Sequence, residues 1–165
     1  MAHIEDTIEV DVPVRVAYNQ WTQFQEFPRF MEGVKEVRQL DDKRLHWRAE
    51  VGGKELEWTA EITQQVPDER IGWRSTGGAT NAGSVTFQPL GDNRCHITLR
   101  LEYEPQGAVE KAGSAIGVVS ARVKGDLKRF KEFIESQPRE TGAWRGEIRS
   151  GEVRKPGAAG TAGMA

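Results

Sequence analysis

From residue 34 to residue 104 hydrophobic and polar residues alternate in short runs broken by turn residues, the pattern of half-buried strands. The runs fall near 34–41, 44–51, 54–66, 70–76, 82–89 and 94–104, separated by "LDD", "GG", "PDE", "GGATN" and "LGDN". Six strands in series with short links predict an antiparallel meander. Ahead of them "IEDTIEVDV" also alternates, with Ile8, Val10 and Val12 on one face and Thr7, Glu9 and Asp11 on the other. Pro13 ends this first strand and opens a short helix over "PVRVAYNQW". A second short helix fits "FQEFPRFM", where Phe24, Phe27 and Phe30 recur every third residue and Pro28 keeps the element brief or kinked.

The first hairpin of the meander predicts its own register. With Gly52-Gly53 as a two-residue turn, Val51 faces Lys54, Ala49 meets Leu56, Trp47 meets Trp58 and Leu45 meets Ala60, all on one face. The other face pairs Arg48 with Glu57 and Arg44 with Glu61, and only Glu50 against Glu55 is unfavourable. A slip of one residue would scramble that sorting. In the last strand Cys95, Ile97, Leu99, Leu101 and Tyr103 point inward, while Arg94, His96, Thr98, Arg100 and Glu102 point out. One sheet face is therefore wet and the other needs a cover.

The cover lies between about Val109 and Ser136. Ile116, Val119, Val123, Leu127, Phe130 and Ile134 recur at steps of three and four and occupy about 80° of a helix circumference. Gly113, Gly117 and Gly125 are unusual there, each costing roughly 1 kcal/mol relative to alanine. They fit either a helix held by tertiary contacts or an N-terminal half kept weak so that it can shift over a ligand. From residue 138 onward the chain mixes both charges with Pro, Gly and Ala without an amphipathic period. The expectation is one domain over 1–137 and a disordered tail over 138–165. Trp144 is the tail's one adhesive residue, either exposed, docked on the domain, or an anchor for a protein partner.

Composition narrows the function classes. The 23 basic and 25 acidic residues give a net charge of −2, so nothing points to nucleic acid or an anionic membrane surface. The single cysteine, Cys95, forms no internal disulfide, no secretory signal is expected, and no stretch reaches the apolar length of a membrane span. A soluble cytoplasmic protein without an integral membrane segment is expected. His3, His46 and His96 share no metal-ligand spacing, so neither a metal site nor a cofactor is expected. "GGATNAGSV" has Ser84 and Val85 where a phosphate loop needs Lys and Ser/Thr, and it is taken as a hairpin turn. No nucleophile with a base and an orienting acid is visible.

The order of strand, two short helices, six strands and long helix resembles the helix-grip fold, an α+β architecture in which a curved antiparallel seven-stranded sheet surrounds a long C-terminal helix. The stretches "VPVRVAYNQWTQFQEFPRFMEGVKEV", "RIGWRSTGGATNAGSVTFQPL", "LEYEP" and "VKGDLKRFKEFIE" are similar to the polyketide cyclase/dehydrase branch of the START-like (SRPBCC) superfamily, which includes coenzyme-Q-binding proteins. The likeness spans about residues 3–136. It implies a space between sheet and helix that takes a lipid, quinone or polyketide-like molecule.

That resemblance bears on the inward indoles of Trp47, Trp58 and Trp73, which either fill a dry core or wall a cavity. Each buried indole N–H needs an acceptor, and an apolar core offers few, which favours a cavity. Its expected lining is Trp47, Trp58, Trp73, Ser75, Phe87, Leu99, Tyr103, Val119 and Val123, with Phe27, Phe30 and Met31 at the rim. Inward polar groups would be Ser75, Tyr103, Gln64, Tyr18 and Lys54 at a strand end. The expected function is non-catalytic binding of a hydrophobic small molecule. The alternatives are a polyketide cyclase or dehydratase with catalytic residues unassigned, and an accessory interaction protein acting through its tail.

Overall fold

The computed structural model describes residues 2–51, 53–104, 114–136 and 139–154. In chain order the elements are β1 (Ala2–Val10), α1 (Val14–Trp21), a 3₁₀ helix (Phe24–Arg29), β2 (Val34–Gln39), β3 (Arg44–Val51), β4 (Lys54–Val66), β5 (Arg70–Gly78), β6 (Asn81–Pro89), β7 (Cys95–Tyr103), α2 (Ser114–Glu135), β8 (Glu147–Arg149) and β9 (Glu152–Arg154). The first seven strands run β1-β7-β6-β5-β4-β3-β2, so the two helical elements after β1 carry the chain from one sheet edge to the other. The fold is the helix grip expected from the sequence.

The meander follows the alternation strand by strand. Residues of β3 and β4 pair as the Gly-Gly turn requires, Trp47 opposite Trp58 and Val51 opposite Lys54. The outer-face ion pairs differ from those expected. Arg44 turns back to Asp41 at 2.9 Å, Glu61 lies 3.7 Å from Arg74, and Glu57 meets His46 at 2.9 Å. Long surface side chains choose among several partners at little energetic difference, so register alone does not select one. Lys35 on β2 relieves Glu50 and Glu55, its Nζ 3.9 and 3.6 Å from the two carboxylates.

Irregular pairing curves the sheet. Register shifts interrupt β4 between Thr59 and Ala60 and between Ile62 and Gln64, and β2 between Val34 and Glu36. Each extra residue bends its strand and increases its twist. The second shift in β4 also moves the inward position from Gln64 to Gln65. Gln65 pairs with Ile71 and is 1 % exposed, whereas Gln64 accepts a hydrogen bond from Arg70 on the exposed side.

Phe24, Phe27 and Phe30 line up because a 3₁₀ turn repeats every three residues, and their rings meet edge-on at 5.5 and 5.6 Å. Trp21 from α1 is the hub, with centroids 4.7 Å from Phe130, 5.9 Å from Phe27 and 6.2 Å from Phe87. Leu127, Phe130 and Ile134 of α2 close this packed half of the interior. Cys95 is fully buried, and burial pushes its thiol up to about 11, so it behaves as a small apolar side chain.

Residues 139–154 correct the expectation of a disordered tail. Thr141 N–H and side chain bond Gln20, Trp144 N–H donates to Thr22 Oγ1, and Arg145 donates to Asn19 at 2.6 Å and Asp68 at 2.8 Å. Ile148 is wholly buried and pairs β8 with Gln65 of β4. The segment lacks amphipathic periodicity because its anchors are polar contacts and one isoleucine on a three-residue strand, too short to show a pattern. Trp144 packs against its own domain's core, which removes the basis for treating it as a free anchor for a protein partner. Residues 155–165 of the expected tail, and Gly113, lie outside the described residues. Gly125 leaves space for the Arg129 guanidinium: a Cβ there would come within 3.0 Å of it and crowd it.

Candidate functional site

Between the concave face of the sheet and Val119 and Val123 of α2 lies a cavity of about 230 Å³. Trp47 and Trp58 form one wall, rings stacked at 5.5 Å with an 11° interplanar angle, and Phe27 approaches Trp47 at 5.6 Å. Trp73 forms another wall and depends on Gly83, its cross-strand partner. A Cβ on Gly83 would lie 2.6 Å from the Trp73 ring, so the absent side chain lets the indole lie across β6. Leu99, Leu101 and Tyr103 follow on β7, and Trp21 joins the cavity to the packed aromatic half. The interior is thus divided between a filled core around Trp21 and an unfilled space beneath the first half of α2.

Most of the expected lining meets here: Trp47, Trp58, Trp73, Leu99, Tyr103, Val119 and Val123, together with Phe27 and Met31. Three expected members do not. Phe87 packs against Tyr18 at 5.5 Å in the filled core, and Phe30 packs against Phe130 at 5.2 Å. The Ser75 hydroxyl instead accepts the Asn81 N–H at 3.0 Å and holds the β5–β6 turn. Tyr18 is fully buried beneath the Arg145 guanidinium, and burial pushes its phenol up to about 12. Lys54 is exposed at its turn. The sequence reading missed Leu45, Leu56, Ile62 and Ile71, which share the inward parity, and the polar lining groups Thr80, Asn81, Glu104 and Asp126. Thr80 and Glu104 are exposed and mark where the space reaches the surface.

A latch ties α2 to the loop after the 3₁₀ helix at the cavity's edge. Arg122 Nη1 donates to the carbonyls of Glu32 at 2.7 Å and Glu50 at 3.1 Å, and Arg129 Nε donates to that of Phe30 at 3.0 Å. Asp126 Oδ1 accepts from Arg129 at 2.6 Å and from the Glu32 N–H at 3.0 Å. Gly33 is required twice over: its φ of +89° lies in the left-handed region, and a Cβ would sit 1.6 Å from Arg122 Nη1. Gly33→Ala should therefore cost about 2 kcal/mol in urea unfolding and release Arg122 from both carbonyls.

Asp126 is a lining carboxyl that holds its proton more tightly than an ordinary aspartate. Burial raises its carboxyl from 3.8 to about 6, against the opposing pull of Arg129, the Glu32 N–H and Arg122. Between those values the folded chain holds a proton that the unfolded chain has released, so folding stability falls as pH rises. The loss should reach about 3 kcal/mol once the pH passes about 7. Asp126→Asn should lack that slope, which urea titrations of both proteins from about pH 4 to pH 8 would read as a difference.

A long helix gripped by a curved sheet over an aromatic cavity is the architecture of START-like proteins. Residues 10–132 match the family described as "Polyketide cyclase / dehydrase and lipid transport", and the chain belongs to it. It is 48% identical over 149 residues to an uncharacterized 17.2 kDa protein in the melC2-rnhH intergenic region of Streptomyces lincolnensis, covering 90% of this chain and 99% of that one. Its fold is similar to that of the Zhui aromatase/cyclase of Streptomyces sp. R1128, with a TM-score of 0.72 and 16% identity, covering 86% of this chain and 98% of the other. It is also similar to a START superfamily protein of Mycobacterium smegmatis, with a TM-score of 0.68 and 14% identity over 81% and 97% of the two chains. Among the described residues no helix is long and apolar enough to cross a membrane.

Proposed function

We propose that this protein binds a hydrophobic small molecule in the cavity between sheet and α2. The observation that carries the reading is unfilled volume walled by three indoles, Leu99 and Tyr103 and roofed by Val119 and Val123, next to a core packed without such space. Apolar walls with a few polar groups suit a guest bound mainly by desolvation and ring contacts. Trp47, Trp58, Trp73, Leu99, Tyr103, Val119 and Val123 would make the principal contacts, with Phe27 and Met31 completing the lining. Native mass spectrometry of the protein purified from its own host is the test. A bound apolar compound released on denaturation is expected. Ligand-free protein that also fails to take up quinone or acyl probes would refute the reading.

A second reading, a polyketide cyclase or dehydratase, is supported by Asp126, a lining carboxyl that burial pushes up to about 6. The family's description and the Zhui aromatase/cyclase point the same way. In that reading the cavity folds a flexible chain into reactive geometry and Asp126 moves a proton during enolisation or water loss. Turnover of a poly-β-ketone thioester that is lost in Asp126→Asn would favour it, whereas release of the compound unchanged would favour binding alone.

A further inference from the structure

Among the described lining residues the only charged side chains are Glu104 and Asp126, and no lysine, arginine or histidine reaches the space. The nearest guanidiniums are engaged, one of them by the lining carboxylate itself. Arg122 is spent on the Glu32 and Glu50 carbonyls, and Arg129 on the Phe30 carbonyl, Asp126 Oδ1 and, at 3.5 Å, Glu32. Both hydrogen bonds that Asp126 accepts fall on Oδ1, so Oδ2 is the atom left for a guest. The remaining walls are indole and phenol rings, whose faces carry partial negative charge and attract cations and polarised X–H groups.

Resting on the binding function proposed above, we infer that the cavity selects an apolar, ring-sized molecule bearing a hydrogen-bond donor, a hydroxyl or a protonated amine, and rejects carboxylic acids. An acid entering this space would lose its hydration, find no lysine, arginine or histidine among the described lining residues, and meet Asp126 Oδ2 in a low-dielectric interior. A hydroxyl or ammonium reverses each of those terms: it donates to a carboxylate oxygen while its rings lie against the indoles. Discrimination of this kind comes as much from the penalty on the wrong ligand as from attraction of the right one. Free fatty acids are excluded as ligands on this account, although their chains are apolar enough to enter.

The test is a calorimetric titration of the full chain near pH 7.5 with four probes that differ in one group: naphthalene, 2-naphthol, 2-(aminomethyl)naphthalene and 2-naphthoic acid. The naphthol or the amine should bind at least about tenfold more tightly than the naphthoate, and their ratio separates a neutral donor from a cationic one. Asp126→Asn, checked for folding by circular dichroism, should narrow the gap to about threefold or less. Naphthalene bound with the naphthoate as tight as both donors would overturn this inference and leave the binding function standing. Failure of all four, naphthalene included, would overturn both.

Discussion

Replacing Ile148 by alanine should lower the unfolding free energy by about 3 kcal/mol, a large effect for a residue in a segment whose sequence looks disordered. The cause is position: Ile148 is 0 % exposed, belongs to the main core and fixes β8 against Gln65 of β4. Cavity formation adds to the lost transfer energy because β8 is held on both sides, by β4 and by β9, and relaxes little. The melting midpoint should fall by roughly 6–12 °C. Arg145→Ala should act in the same direction by about 2 kcal/mol, since it leaves Asn19 and Asp68 without their guanidinium donors. Arg149→Ala provides the contrast. Its partner Glu147 is a surface contact two residues away, and its removal should change stability by no more than about 0.5 kcal/mol. Thermal denaturation of the three variants reads all of this. An unchanged midpoint for Ile148→Ala would mean that residues 139–154 are not docked as described.

Val123→Trp should abolish ligand binding while leaving the fold intact. Val123 is 6 % exposed and lines the cavity from α2, between Val119 and Leu127. An indole projecting from that point occupies the space that a guest needs, and it meets a void rather than close-packed neighbours. Affinity for 2-naphthol should drop at least about 100-fold by calorimetry, with stability shifted by no more than about 2 kcal/mol. Leu90→Trp is the matched control, because Leu90 is 43 % exposed and remote from the lining. Unchanged affinity in Val123→Trp would place the guest elsewhere.

Much of this architecture is legible in the sequence, and the exceptions have physical causes. The period-two alternation and the Gly-Gly turn lead directly to Trp47 facing Trp58, because a slip would expose every apolar side chain of the hairpin. Parity fails at Gln64 and Gln65, where a bulge adds one residue and no local residue type announces it. Strand parity also cannot tell which inward residues line a void and which pack. Phe87 and Leu99 lie on adjacent inward strands, yet only Leu99 lines the cavity, because Trp21 fills the space beside Phe87. Asp126 carries a legible signal: it stands seven residues after Val119, about 20° from it around the helix, so an acid sits at the border of the apolar stripe. The docked segment was hidden for another reason. Its contacts run to Asn19, Gln20, Thr22 and Asp68, more than seventy residues away in sequence, and no periodic pattern encodes them.

A crystal structure of the full chain soaked with 2-naphthol tests the central claim most directly. Density for the fused rings is expected between the stacked Trp47–Trp58 pair and the Val119–Val123 face of α2, with the hydroxyl turned toward a lining carboxylate. Side chains collapsed into that space, leaving no room for a guest at saturating ligand, would contradict it.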